Sequence, residues 1–240
     1  MYPIVVRVSE LATILAMYRR VFSRAGQLTL RNWPVLGTVP IYGVVIAASM
    51  VVATGLGIIG GLLVNLVWAA CVGSFLSLVE AMIGSGRVSW DDFRRSFGAY
   101  LWDVVGVTFV LWIVFVIVTP AFRTLPQGPG LLLAMNLLIF VLFNAVPELI
   151  YLGHHSSLEL LAASYEFITE NWIEWFPATL VPAAVFYLVA RLPVEGIVAW
   201  AQTAALALIV YVTMVARGLL FLELHGSSRR GRAFRHRTGR

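Results

Sequence analysis

Six long apolar runs, each close to the length of a bilayer crossing, leave this chain few ways to fold. They fall at about 34–54, 57–80, 101–121, 131–151, 173–191 and 197–217. A helix of about 20 mainly apolar residues crosses the hydrocarbon core of a membrane. Gly, Pro and a few polar residues separate the runs within each pair, as "TGLG", "FRTLPQGPG" and "RLPVE". Composition removes the soluble alternative. Of the 240 residues, 60% are hydrophobic and 12% charged, and mean hydropathy is +0.88. An ordinary soluble domain is about 45–50% apolar and about 25% charged. The expected fold is therefore all-α: a polytopic transmembrane helix bundle of six spans.

The segments between the paired runs are amphipathic. In "SELATILAMYRRVF", Ser9 is placed to cap a helix, and Leu11, Ile14, Leu15, Tyr18, Val21 and Phe22 share one apolar face at helical period, with Arg19, Arg20 and Arg24 off it. "SWDDFRRSFGAY" offers Ser89 as a cap, aspartates in the first turn and arginines after them, an order that suits the helix dipole. "SSLELLAASYEFITEN" repeats the pattern with Leu158, Leu161, Tyr165 and Ile168. Such helices lie in the headgroup plane.

Two markers recur in register. Trp33, Trp102 and Trp172 are spaced by 69 and 70 residues, each where an amphipathic stretch gives way to a span. Glu80, Glu148 and Glu223 each fall at or just past the end of the second span of a pair, with Gly84, Gly153 and Gly226 close behind. The pattern predicts three parallel repeats of an interfacial helix plus a transmembrane hairpin. They lie at about 9–83, 84–152 and 153–226 of a single membrane domain, 1–226, with a basic flexible tail at 227–240. Two spans per unit make the copies enter from the same side, so their axis runs along the membrane normal.

Charge sets orientation. There is no lysine, so the net +5 is carried by arginine. Arg7, Arg19, Arg20, Arg24, Arg31, Arg87, Arg94, Arg95, Arg217 and the tail arginines fall on one side of the expected spans, and Arg123 and Arg191 on the other. The positive-inside rule then puts both termini in the cytoplasm. The N-terminal stretch does not read as a secretory signal. The single cysteine, Cys71, lies in an apolar run and reads as a small core residue.

Few residues point to chemistry. In the second span Gly57, Gly61, Asn65, Ala69, Gly73 and Ser77 recur every four residues, the small-residue stripe of a closely packed membrane helix. Asn65, Asn136, Asn144 and Gln202 lie within spans and read as interhelical hydrogen-bonding groups. Glu80, Glu148 and Glu223 are the candidate ion or polar site. They read either as ties to interfacial arginines such as Arg24, Arg94 and Arg95, or as a ring of carboxylates, which Asp103 could join. Glu148 with His154 and His155 has metal-binding residue types without a recognised ligand spacing, so no metal and no cofactor are expected. No nucleophile elbow, zincin motif or phosphate loop is present. Arg229, Arg230, Arg232 and Arg235 of the tail read as contacts to anionic lipid headgroups, with no nucleic-acid partner expected.

"SSLELLAASYEFITENWIEWF", "GRVSWDDFRRSFGAYLWDVVGV" and "RGLLFLELHG" resemble segments of a broad set of bacterial six-span membrane proteins, among them the membrane domain fused to some glycerophosphodiester phosphodiesterases. His225 stands where that set usually has Arg, and no phosphodiesterase domain is present. The resemblance implies an integral inner-membrane protein. The expected function is a non-enzymatic scaffold or accessory subunit whose partners are membrane lipids, other membrane proteins or further copies of itself. A small transporter or channel using the glutamates is the rival, and a membrane-embedded lipid enzyme using Glu148 and His154 a weaker one.

Overall fold

The computed structural model describes the backbone of residues 4–153 and 157–225, and the side chains of 14–153 and 159–225. His154, His155 and the tail arginines Arg229, Arg230, Arg232 and Arg235 lie outside the described residues. Within them every regular element is helical. The helices are α1 (Ile4–Arg31), α2 (Thr38–Ala53), α3 (Gly57–Ser85), α4 (Trp90–Ser96), α5 (Leu101–Arg123), α6 (Gly128–Leu142), α7 (Val146–Leu152), α8 (Ser157–Trp175), α9 (Pro177–Ala190) and α10 (Ile197–His225). A 3-10 turn, Trp33–Gly37, leads into α2.

Among the described residues five helical segments are long and apolar enough to cross a membrane: Trp33–Ala53, Gly57–Ser85, Leu101–Arg123, Gly128–Leu152 and Ile197–His225. The fifth expected span is not one straight helix. α8 runs on to Trp175, and α9 starts after Phe176 at a bend of 69°. α9 has 14 residues, about 21 Å at 1.5 Å per residue, short of the ~30 Å core on its own. Pro177, which lacks an N–H, sits in its first turn. Among the described residues there are therefore five candidate crossings, or six if the bent pair counts as one. The outer faces are apolar to a degree that water would not tolerate: Ile58 is 88% exposed, Ile197 85% and Trp200 75%.

The chain divides into two compact bodies. The first consists, among described residues, of 4–40, 81–88 and 173–225, and the second of 41–80, 89–153 and 157–172. In the first, α1 lies along α10, and α9 pairs with α10 as a hairpin. In the second, α5 and α6 form a hairpin, and the turn between α2 and α3 depends on a close approach at Gly60, where a Cβ would lie 2.3 Å from Ala53 O.

Several expected boundaries move. α1 begins at Ile4, so Ser9 lies inside the helix rather than at its cap. The buried stripe of α1 is Met17, Val21, Ala25 and Thr29, rotated from the expected face, and Leu15 is 67% exposed. α4 matches the reading of its sequence: Ser89 Oγ accepts from Asp92 N at 3.1 Å, and Asp92 Oδ2 accepts from Ser89 N at 2.8 Å. These bonds hold the Asp92 carboxyl below the usual carboxylate range. Gly84 lies inside α3, and the left-handed glycine that ends it is Gly86, with φ 72°.

Candidate functional site

In a membrane a freed backbone carbonyl needs a protein partner, since no water is there to supply one. At several breaks among the described residues this chain supplies one from a side chain. Asn32 ends α1, with φ −109° and ψ 32°, and its Nδ2 donates to Leu28 O at 2.8 Å and Gly86 O at 3.2 Å, while Val88 N donates to its Oδ1 at 2.8 Å. Asn171 kinks α8 with nearly the same backbone, φ −125° and ψ 17°, and donates to Phe167 O at 3.0 Å. Each asparagine is buried and bonds four residues back, and each is followed by an exposed tryptophan. Ser164 donates to Leu142 O at 2.8 Å, the carbonyl freed where Phe143, Asn144 and Ala145 interrupt α6 and α7. Tyr18 OH donates to Glu174 O and lies beside Ala178 N–H, so one hydroxyl of α1 bridges the break between α8 and α9.

The polar residues expected inside spans divide along the same lines. Gln202 on α10 donates to Val189 O and Leu192 O at 2.7 and 3.2 Å, closing the end of α9. Asn65 and Asn136 instead donate to carbonyls of their own helices, Gly61 O and Leu132 O. Asn144 is buried at the α6–α7 break. Of the small-residue stripe, Gly57, Gly61 and Asn65 are exposed, Ala69 and Gly73 are buried, and Ser77 is partly covered. At Gly73 a Cβ would meet the backbone of Tyr100 and Leu101 at 3.1 and 3.2 Å, so close packing is confined to the second half of α3.

The three glutamates differ in setting. Glu80 and Glu223 lie within α3 and α10, both of which run past the expected span ends, whereas Glu148 sits in the first turn of α7 behind Pro147. Glu223 pairs with Arg20 at 2.8 Å, not with Arg24. Glu80 Oε2 accepts from Tyr100 OH at 2.6 Å, not from Arg94 or Arg95. Burial and this carboxylate push the Tyr100 phenol well above its ordinary value, so the hydroxyl stays a donor. Glu148 is fully buried in the second body, in the first turn of α7, where a helix dipole favours an acidic residue. Asp103 is partly exposed near the start of α5. Among described residues no three His, Cys, Asp or Glu side chains gather as a metal site would need.

Three features were not evident in the sequence. Arg217 stood at the edge of an expected span. It lies eight residues inside the end of α10, 7% exposed, with its guanidinium 5.0 Å above the ring of Trp175, itself fully buried. A hydroxyl seam joins Tyr42, Ser74 and Ser96 in the second body, at 2.7 and 2.5 Å, with all three buried. An open apolar cleft of about 590 Å³ lies between α1, α9 and α10, lined among others by Leu15, Tyr18, Phe22, Val181, Val185 and Ile209. Beside it Leu15 also borders a shallow notch of about 570 Å³ formed with Arg19, Arg20 and Ser23. No single residue predicts the cleft. It arises because the apolar arc of α1 is wider than its neighbours cover.

The class these features fit is the polytopic helical membrane protein. No family model matches the chain, and no curated protein or solved structure matches it either.

Proposed function

We propose that this protein is a non-enzymatic integral membrane scaffold or accessory subunit that binds lipids or partner membrane proteins. The observation that carries this reading is the use made of the glutamates. Glu223 is taken up by Arg20 of α1 and Glu80 by Tyr100, so two of the three carboxylates tie structural elements together. Tyr18 fastens α1 a second time, through Glu174 O. An amphipathic helix held in this way is a fixed platform at a membrane surface.

The finer architecture belongs to the same proposal. Asn32, Tyr100 and Asn171 share one backbone conformation at the three junctions, Tyr100 with φ −122° and ψ 19°. That recurrence supports three tandem units, the arginine distribution supports cytoplasmic termini in a bacterial inner membrane, and the resemblance of the three quoted segments supports kinship with the six-span bacterial set. In this reading Arg229, Arg230, Arg232 and Arg235 contact anionic headgroups.

The rival is a transporter or channel. Proteoliposomes loaded with pH- and cation-sensitive dyes are the test. The proposal expects wild type and the triple Glu80→Gln, Glu148→Gln, Glu223→Gln variant to leak no faster than empty liposomes. Flux in the wild type that the triple variant abolishes would establish the rival.

A further inference from the structure

We propose that the cleft between α1, α9 and α10 seats an acyl chain of an anionic glycerophospholipid, with the headgroup held at Arg19, Arg20 and Ser23. The inference rests on the lipid-binding reading above and names the lipid class and the place.

The first argument is coverage. α1 turns Met17, Val21 and Ala25 into the protein, but Leu15 stays 67% exposed and Phe22 only partly covered, so part of its apolar arc has no protein partner. The opposite wall is equally unfilled: Val181 is 62% exposed and Val185 44%. A slot of about 590 Å³ falls within the ~300–1,000 Å³ usual for small-molecule sites.

The second is chemistry. The lining is apolar apart from two hydroxyls, and one of these, Tyr18 OH, already donates to Glu174 O. Nothing in the slot calls for a polar ligand, and a hydrocarbon chain satisfies it. The third is charge. Leu15 belongs to both the slot and the notch, so hydrocarbon and cation are contiguous. Arg19 is exposed and enters no ion pair among the described residues, and Arg20, 66% exposed, shares its guanidinium with Glu223. Arg19 and Ser23 are one helical turn apart and offer donors to one phosphate. A molecule with one hydrocarbon arm and a net negative head fits this pair of surfaces. A zwitterionic head would place its own cation near the arginines.

The test is native mass spectrometry of the full chain released from nanodiscs of equal phosphatidylglycerol and phosphatidylcholine. The wild type is expected to carry a phosphatidylglycerol adduct in excess over phosphatidylcholine. Arg19→Gln should cut the phosphatidylglycerol adduct about five-fold, as expected for the loss of one arginine at an anionic surface. Val181→Trp, and independently Val185→Trp, should remove it by filling the slot, and Val44→Trp, on an exposed face of α2, should leave it unchanged. Lipid retained equally by all variants would overturn the cleft while leaving lipid binding in place. Equal retention of the two lipids would overturn the anionic headgroup. A second copy of the chain in place of lipid, lost in Val181→Trp, would reassign the cleft to self-association. A wild type that carries neither lipid nor protein would overturn both this inference and the reading beneath it.

Discussion

Among the described residues, Glu148 and Arg217 are the charged side chains that the protein buries. An arginine keeps its proton in any protein setting, so Arg217 must be stabilised as a cation. The Trp175 ring, 5.0 Å away, supplies part of that through its quadrupole, worth up to about 2 kcal/mol where water is excluded. Stacking needs a flat group, and a lysine ammonium is compact and strongly hydrated. Arg217→Lys should therefore lower the melting temperature in detergent nearly as much as Arg217→Leu. A lysine variant as stable as wild type would show that charge alone matters there and the stacking does not.

Side-chain hydrogen bonds to freed carbonyls gather at the breaks between helices, and Tyr18 is the clearest case. Removing its hydroxyl leaves Glu174 O without its donor, at a cost of about 1–3 kcal/mol if no water replaces it. Tyr18→Phe should then raise amide exchange in α9 more than in α5. Burial pushes the Tyr18 phenol from 10.0 up to about 12, so ionisation is harder in the folded state. The hydroxyl's contribution is therefore fully present below pH 10 and lost as pH rises towards about 12. The stability difference between wild type and Tyr18→Phe, read as the gap between their melting temperatures in detergent, should stay constant to pH 10 and shrink as pH rises towards about 12. The apolar runs, the Ser89 cap of α4 and the tryptophans at the junctions could be read from sequence because each depends on residues close together in the chain. The Tyr18 bridge, the Arg217 stack and the cleft could not, because each pairs residues more than 40 positions apart whose types are ordinary alone. The bend at Phe176 was hidden for another reason: Pro177 at the start of an apolar run looks like the beginning of a span, and hydropathy does not register direction.

For the molecule as a whole, the side on which the loop after α9 emerges separates five crossings from six. Cys71 is buried, so single cysteines placed elsewhere can be labelled selectively. Arg87, Gln127 and Glu195 are all exposed in connecting segments. If the bent pair α8–α9 crosses, a membrane-impermeant maleimide should reach Gln127→Cys and Glu195→Cys from one face of sealed vesicles and Arg87→Cys from the other. Labelling of Glu195→Cys together with Arg87→Cys would make α9 a re-entrant segment and the protein a five-span one. The arginine distribution favours the first result, because Arg123 and Arg191 then share the sparsely charged side. The first body also carries a consequence in time. Arg20 and Glu223 are 203 residues apart in the chain. At roughly 5–20 residues per second of synthesis, α1 waits roughly 10–40 s before α10 exists to receive it. Made long before its partner, α1 is thus seated late, and a chain stalled before α10 would display it unclaimed to the cell's proteases.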